Sequence, residues 1–160
     1  MNWEAIGIIA DIVAATAIVL TLGFLTLQIR GETVARRAQT RQELANARRN
    51  GIEMHLNHSE LRSARYKSRH GEELSAGERD IFFWYVALML RDFENFVYQH
   101  KLGTLDAEEL ETARELVRVQ LQGEPGFMDA AREIAEGYRS TFSDSMVNEM
   151  RLIGLMDSKQ

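Results

Sequence analysis

At 160 residues the chain has room for one membrane segment and one small domain. The absence of Cys excludes a disulfide framework and a thiolate metal site. The net charge of −5 is unevenly divided: residues 30–70 carry ten Arg or Lys against four Glu, whereas residues 71–160 carry nine against eighteen acids. A basic block beside a span, with the acidic block beyond it, suits an anionic bilayer surface.

Residues 5–29, AIGIIADIVAATAIVLTLGFLTLQI, are apolar apart from Asp11, three Thr and Gln28. At about 1.5 Å per residue they make a helix of roughly 37 Å, enough to cross a bilayer with some tilt. The preceding Met-Asn-Trp-Glu is acidic, so the segment reads as a retained anchor and not as a cleaved signal peptide. Arg30, Arg36, Arg37 and Arg41 follow it and are assigned to lipid headgroups. By the positive-inside rule the N-terminus is then outside and the C-terminal domain cytoplasmic, with Trp3 as an outer aromatic anchor.

Gly7, Ala10, Ala14, Ala17 and Thr21 recur at spacings of three and four and form a stripe of small residues. In lipid such a stripe lets helix backbones approach and pack. Asp11 lies at its edge, and Glu4 shares a helix face with Asp11 seven residues earlier. An acid inside a span faces protein or water and not lipid. Asp11 is therefore hydrated near the outer surface, placed in an acidic ring or ion site of an oligomer, or bonded to a partner helix.

Residues 32–50, rich in Ala, Arg, Gln and Glu, continue the helix into the cytoplasm, either solvated or packed through Ala against a second copy. Asn50-Gly51 marks a bend or helix end. Ile52, Met54, Leu56 and Leu61 then form an apolar patch, and a short basic helix follows, capped by Ser59 and ended by Gly71. The expected organisation is all-α: a transmembrane helix at 1–30 continuing into a basic juxtamembrane helix at 31–57, then a small cytoplasmic helical bundle at 58–160.

The central helix of that bundle holds the run IFFWYVALML, with Ser75 and Glu78 as a capping box and Gly103 as its stop. Phe82, Phe83, Val86, Leu90, Phe93 and Val97 are its core stripe, joined by Met89 and Phe96, while Trp84 and Tyr85 face other helices, a partner or the membrane surface. Asp106 and Glu109 repeat the capping-box spacing ahead of a helix burying Leu110, Ala113, Leu116 and Val117. A turn at Gly123, Pro125 and Gly126 leads to a face of Phe127, Ala131, Ile134, Ala135 and Tyr138. Ser143 caps a last short helix with Met146, Val147, Met150 and Ile153 inside, and the final residues from Asp157 fray.

Little here points to catalysis. No nucleophile elbow, Walker or Rossmann pattern is present. His55 and His58, with Glu53 and Glu60 nearby, have a spacing a metal tolerates but no metalloprotein signature, so no metal or cofactor is expected. Asp92 and Glu94 are read as solvent-facing, and His100 as a helix C-terminal cation. The arginines lack the motif context of a nucleic-acid binder.

The opening MNWEAIGIIADIVAA and the later TLGFLTLQIR resemble a set of small uncharacterised bacterial single-pass membrane proteins with an N-terminal transmembrane helix and a helical cytoplasmic domain. Leu74-Ser75 with Glu78-Arg79 ahead of an aromatic helix, and Phe142-Ser143, are similar to theirs as well. The resemblance implies the topology, a bacterial inner membrane and an acid at Asp11; it implies no activity.

The expected function is assembly through the transmembrane helix, as a homo-oligomer or as accessory subunit of a larger membrane complex, in contact with membrane lipids. The alternatives are a homo-oligomeric ion or proton channel with Asp11 near the pore, and a membrane-anchored ligand sensor or enzyme. An enzyme is the least supported class.

Overall fold

The computed structural model describes residues 3–157, and leaves the side chains of residues 3–6 and 9–11 outside that description. The readings made of Trp3, Glu4, Ala10 and Asp11 fall on those side chains, and fraying beyond Asp157 falls on residues 158–160. Among the described residues the chain is helical, without strands. The elements are α1 (Trp3–Asn57), α2 (Ser59–His70), α3 (Ala76–Lys101), α4 (Ala107–Gly123), α5 (Pro125–Gly137), a 3-10 turn (Arg139–Thr141) and α6 (Asp144–Leu152). The chain divides into two compact units, residues 1–39 and 40–160.

In the first unit every residue from 12 to 39 is exposed. The apolar window in α1 is long and apolar enough to cross a membrane, and none of it is buried within the chain. A core helix of a soluble bundle would be covered on at least one face. The hydroxyls of Thr16, Thr21 and Thr26 donate to the carbonyls of Ile12, Ala17 and Leu22, each at 2.8 Å. These three hydroxyl donors are thus satisfied inside the helix.

The second unit begins at Thr40, so residues 40–57 of α1 belong with the bundle. Gly51 does not end the helix. A glycine inside a helix costs about 1 kcal/mol, whereas burying a side chain such as Leu44, 6% exposed, contributes about 1.5–3 kcal/mol. The packing outweighs the weak residue, and α1 runs on until His58 turns extended, with φ −104° and ψ 103°. His58, not Ser59, is the N-cap of α2. Of the apolar patch at its junction, Leu61 is buried and Met54 packs against the core, but Ile52 and Leu56 are exposed.

The bundle forms around α3, which packs on α2, α4, α5 and α6. Phe82, Val86, Leu90, Phe93 and Val97 are buried as the stripe requires; Phe83 is half-buried against the core, and Tyr85 is buried beside it. Ser75 caps α3 as expected: its Oγ accepts the Glu78 N–H at 3.3 Å, and Glu78 accepts the Ser75 N–H at 3.0 Å. Glu109 takes the Asp106 N–H at 3.4 Å ahead of α4, and Ser143 accepts the Met146 N–H at 3.3 Å ahead of α6. Gly71, with φ 68°, closes α2 in the left-handed region that glycine enters without a steric penalty.

Two faces differ from the sequence expectation. Leu116 and Tyr138 are exposed, because α4 centres its buried stripe on Leu110, Ala113, Val117 and Leu121, and α5 on Phe127, Ala131, Ile134 and Ala135. The turn between them is a single residue, Glu124; Pro125 already occupies the first helical position, where its missing N–H costs nothing.

Candidate functional site

The apolar part of α1 presents the small-residue stripe in part. Gly7, Ala14, Ala17 and Thr21 lie on α1, and Gly7, Ala14, Ala17 and Thr21 are all exposed. Steps of three and four average 3.5 residues, the spacing that keeps one seam facing a partner helix in a left-handed supercoil. Phe24, 69% exposed, ends the stripe. The Thr21 hydroxyl is already bonded to Ala17, so what this face offers a second helix is close van der Waals packing.

Arg30, Arg36 and Arg37 follow the apolar part of α1 and are exposed. Arg41, grouped with them by sequence, serves the bundle. It reaches Asp106 at 2.8 Å and Glu109 at 2.9 Å, at the N-terminus of α4. Acids there are favoured by the helix dipole, and the guanidinium ties the α1 segment of the bundle to them.

A cavity of about 280 Å³ lies in the bundle between α1, α3 and α4. It exists because α1 turns Ala47 and Gly51 toward larger residues of α3, Met89 and Phe93 among them. A side chain at Gly51 would meet nothing within 4 Å at its Cβ. Leu44, Phe96, Leu116 and Val117 add to the apolar wall.

Polar groups gather at one end. Arg65 of α2 stands over the Tyr85 ring at 5.0 Å and reaches the Glu124 carboxylate at 3.2 Å. Glu124 is 2% exposed and also lies 3.6 Å from Arg69. His55 and Gln120 line the same cavity. His55 Nδ1, Arg65 Nε and Gln120 Oε1 are buried without hydrogen-bond partners, a condition native interiors rarely leave unexplained. Burial, and after it the charges of Arg65 and Arg62, push the His55 imidazole below its usual range, toward the neutral form.

Asp92 and Glu94 part company. Asp92 lines the cavity, where burial raises its carboxyl, and Glu94 accepts the Ser143 N–H at 2.8 Å and pairs with Arg91. Neither is a free solvent-facing acid, because α4 and α6 cover the two sides of α3 on which they sit. His100 Nδ1 donates to the Leu105 carbonyl at 3.1 Å and closes the α3–α4 loop. Among the described residues no group of His, Asp and Glu is arranged to hold a metal. A second, larger groove of about 570 Å³ runs past Trp84, Leu88 and Tyr138 and is almost wholly apolar.

Sequence reasoning pointed to the stripe and to most of the core but missed the polar end of the cavity. Its members come from four elements: His55, Arg65, Tyr85 and Gln120. The one available signal was Gly51, a helix-weakening residue inside a helical stretch. The chain matches no family model, no curated protein and no solved structure.

Proposed function

We propose that the protein is a single-pass membrane protein that assembles through the transmembrane part of α1, as a homo-oligomer or as accessory subunit of a larger membrane complex. The observation that carries this reading is the unbroken exposure of residues 12–39, which leaves large side chains such as Ile18, Leu20 and Phe24 uncovered by the rest of the chain, and lipid or another helix would cover them. The small face of Gly7, Ala10, Ala14, Ala17 and Thr21 is the natural seam. Among the described residues of the span the Thr hydroxyls are committed to backbone carbonyls, which leaves them little to offer as pore lining and supports assembly over conduction.

Arg30, Arg36 and Arg37 support an N-terminus outside and a cytoplasmic bundle, with these arginines at the headgroups. The resemblance of the first thirty residues supports a bacterial inner membrane. The test is the mass of the native protein extracted in mild detergent. We expect a complex heavier than one chain that dissociates in an Ala14→Leu, Ala17→Leu double variant. A native protein that is monomeric, or a variant of unchanged mass, overturns the proposal.

A further inference from the structure

The cavity between α1, α3 and α4 is elongated along α3. Along α3 it extends from Tyr85 to Phe96, which at 1.5 Å per residue is roughly 16 Å. Beside Phe96 it is bounded by Leu44 and Arg48, whose guanidinium lies 5.9 Å from that ring. At the far end stand His55 and Arg65. A volume of about 280 Å³ is nearly twice a protein cavity of about 150 Å³ that holds benzene. Drawn out over that length, it suits one unbranched chain better than a pair of fused rings. The wall is mostly apolar along Met89, Phe93 and Phe96, with Asp92 and Asn95 beside them, and is cationic where His55, Arg65 and Gln120 converge, the arrangement by which binding pockets orient an amphipathic ligand.

The polar end also selects a sign of charge. Arg62, Arg65 and Arg69 share one face of α2, and with His55 they border a common recess. Glu124 is the carboxylate that pairs with Arg65 and Arg69. At this end three guanidiniums stand against that one acid, whose Oε1 is itself buried without a partner, and leave an excess of positive charge; Asp92 lies farther along the cavity, on α3. Arg65 Nε brings a donor with no acceptor, and His55 Nδ1 can supply a second in its Nδ1–H tautomer. A half-turn of the Gln120 amide brings a third.

We infer that this cavity binds one medium-chain, unbranched carboxylic acid, its carboxylate on Arg65 and His55 and its alkyl chain along Met89, Phe93 and Phe96. The ligand supplies the acceptor that the buried Arg65 and His55 nitrogens lack, and it fills the space that Ala47 and Gly51 leave open. The inference concerns the bundle alone and does not rest on the membrane reading.

The test is equilibrium binding of radiolabelled decanoate to the full chain in lipid nanodiscs, with empty nanodiscs subtracted. We expect saturable binding of one decanoate per chain. Gly51→Phe, whose ring enters open space, should abolish it, and Gly51→Ala should retain it. Arg65→Gln should weaken it tenfold or more, as loss of a charge-assisted hydrogen bond does. Since Arg65→Gln also strips Glu124 of its nearer partner and can unfold the bundle, decanol is measured on the native chain; lacking the carboxylate, it should bind at least tenfold more weakly. No saturable binding above empty nanodiscs, undiminished binding in Gly51→Phe, or decanol binding as tightly as decanoate overturns the inference.

Discussion

Gly126 in the first turn of α5 faces Ser68 of α2 so closely that a methyl group on Gly126 would lie 2.4 Å from the Ser68 Oγ and 3.2 Å from its Cβ. Ser68 is buried, and its hydroxyl has no hydrogen-bond partner. The two helices meet where one side chain is missing and the other is small. Gly126→Ala should therefore destabilise the bundle by about 1–3 kcal/mol, the usual cost of overpacking a fitted interface. Ser68→Ala alone should be near neutral, because the hydroxyl it removes makes no bond. Combined, the two should cost less than Gly126→Ala alone, as measured by denaturant unfolding of the four proteins in a double-mutant cycle.

Gly51 presents the opposite case. It sits inside α1 with open space around its Cβ, so nothing resists a methyl there. Gly51→Ala should stabilise the protein by roughly 1 kcal/mol through helix propensity. The measurement is the shift in unfolding midpoint, and a destabilised variant would show that the backbone at 51 is not helical.

Glu78 is held by Lys67 at 2.7 Å, by the Ser63 hydroxyl at 2.7 Å and by the Ser75 N–H. The Lys67 and Ser63 bonds lead in holding its carboxyl at about 2, below the ordinary 4.5. The folded chain thus binds this proton less readily than the unfolded chain. Glu78 adds stability above about pH 4.5 and loses it as pH falls toward 2. Glu78→Gln should flatten this part of the acid limb, read as the change in unfolding midpoint between pH 5 and pH 2.5. An acid limb as steep as the native one would rule out Glu78 as a contributor.

Arg114 of α4 holds Glu149 of α6 through two bonds, at 2.6 and 2.8 Å, with both side chains mostly covered, and Glu111 flanks it. Paired guanidinium–carboxylate bonds of this kind are the strong ones. Glu149→Gln should cost about 1.5–3 kcal/mol and should loosen α6 first. Amide exchange at Met146 and Met150 should therefore accelerate more than exchange at Phe93. Uniform acceleration across the bundle would mean that the pair stabilises the whole fold and not this docking.

The amino-acid order alone determined the helices whose evidence is local. The uncharged, largely apolar run of residues 12–29, the Ser75–Glu78 box and the glycines at 71 and 103 each act within a few turns of chain, so their signals survive in one dimension. The stripe of Phe82, Val86, Leu90, Phe93 and Val97 was legible for the same reason, through its helical period. Tertiary structure decided where α1 stops being exposed, because the helix propensity of residues 32–57 is nearly uniform and only the burial of Thr40 and Leu44 marks the change. It also decided that Leu116 and Tyr138 stay outside, that Arg41 pairs with Asp106, and that Gly51 lies within a helix beside a cavity. Those outcomes depend on which neighbours cover a given face, and neighbours distant in sequence leave no period to read. His55, Arg65, Tyr85 and Gln120 are the clearest instance: four unremarkable positions on four helices, made into one site by packing alone.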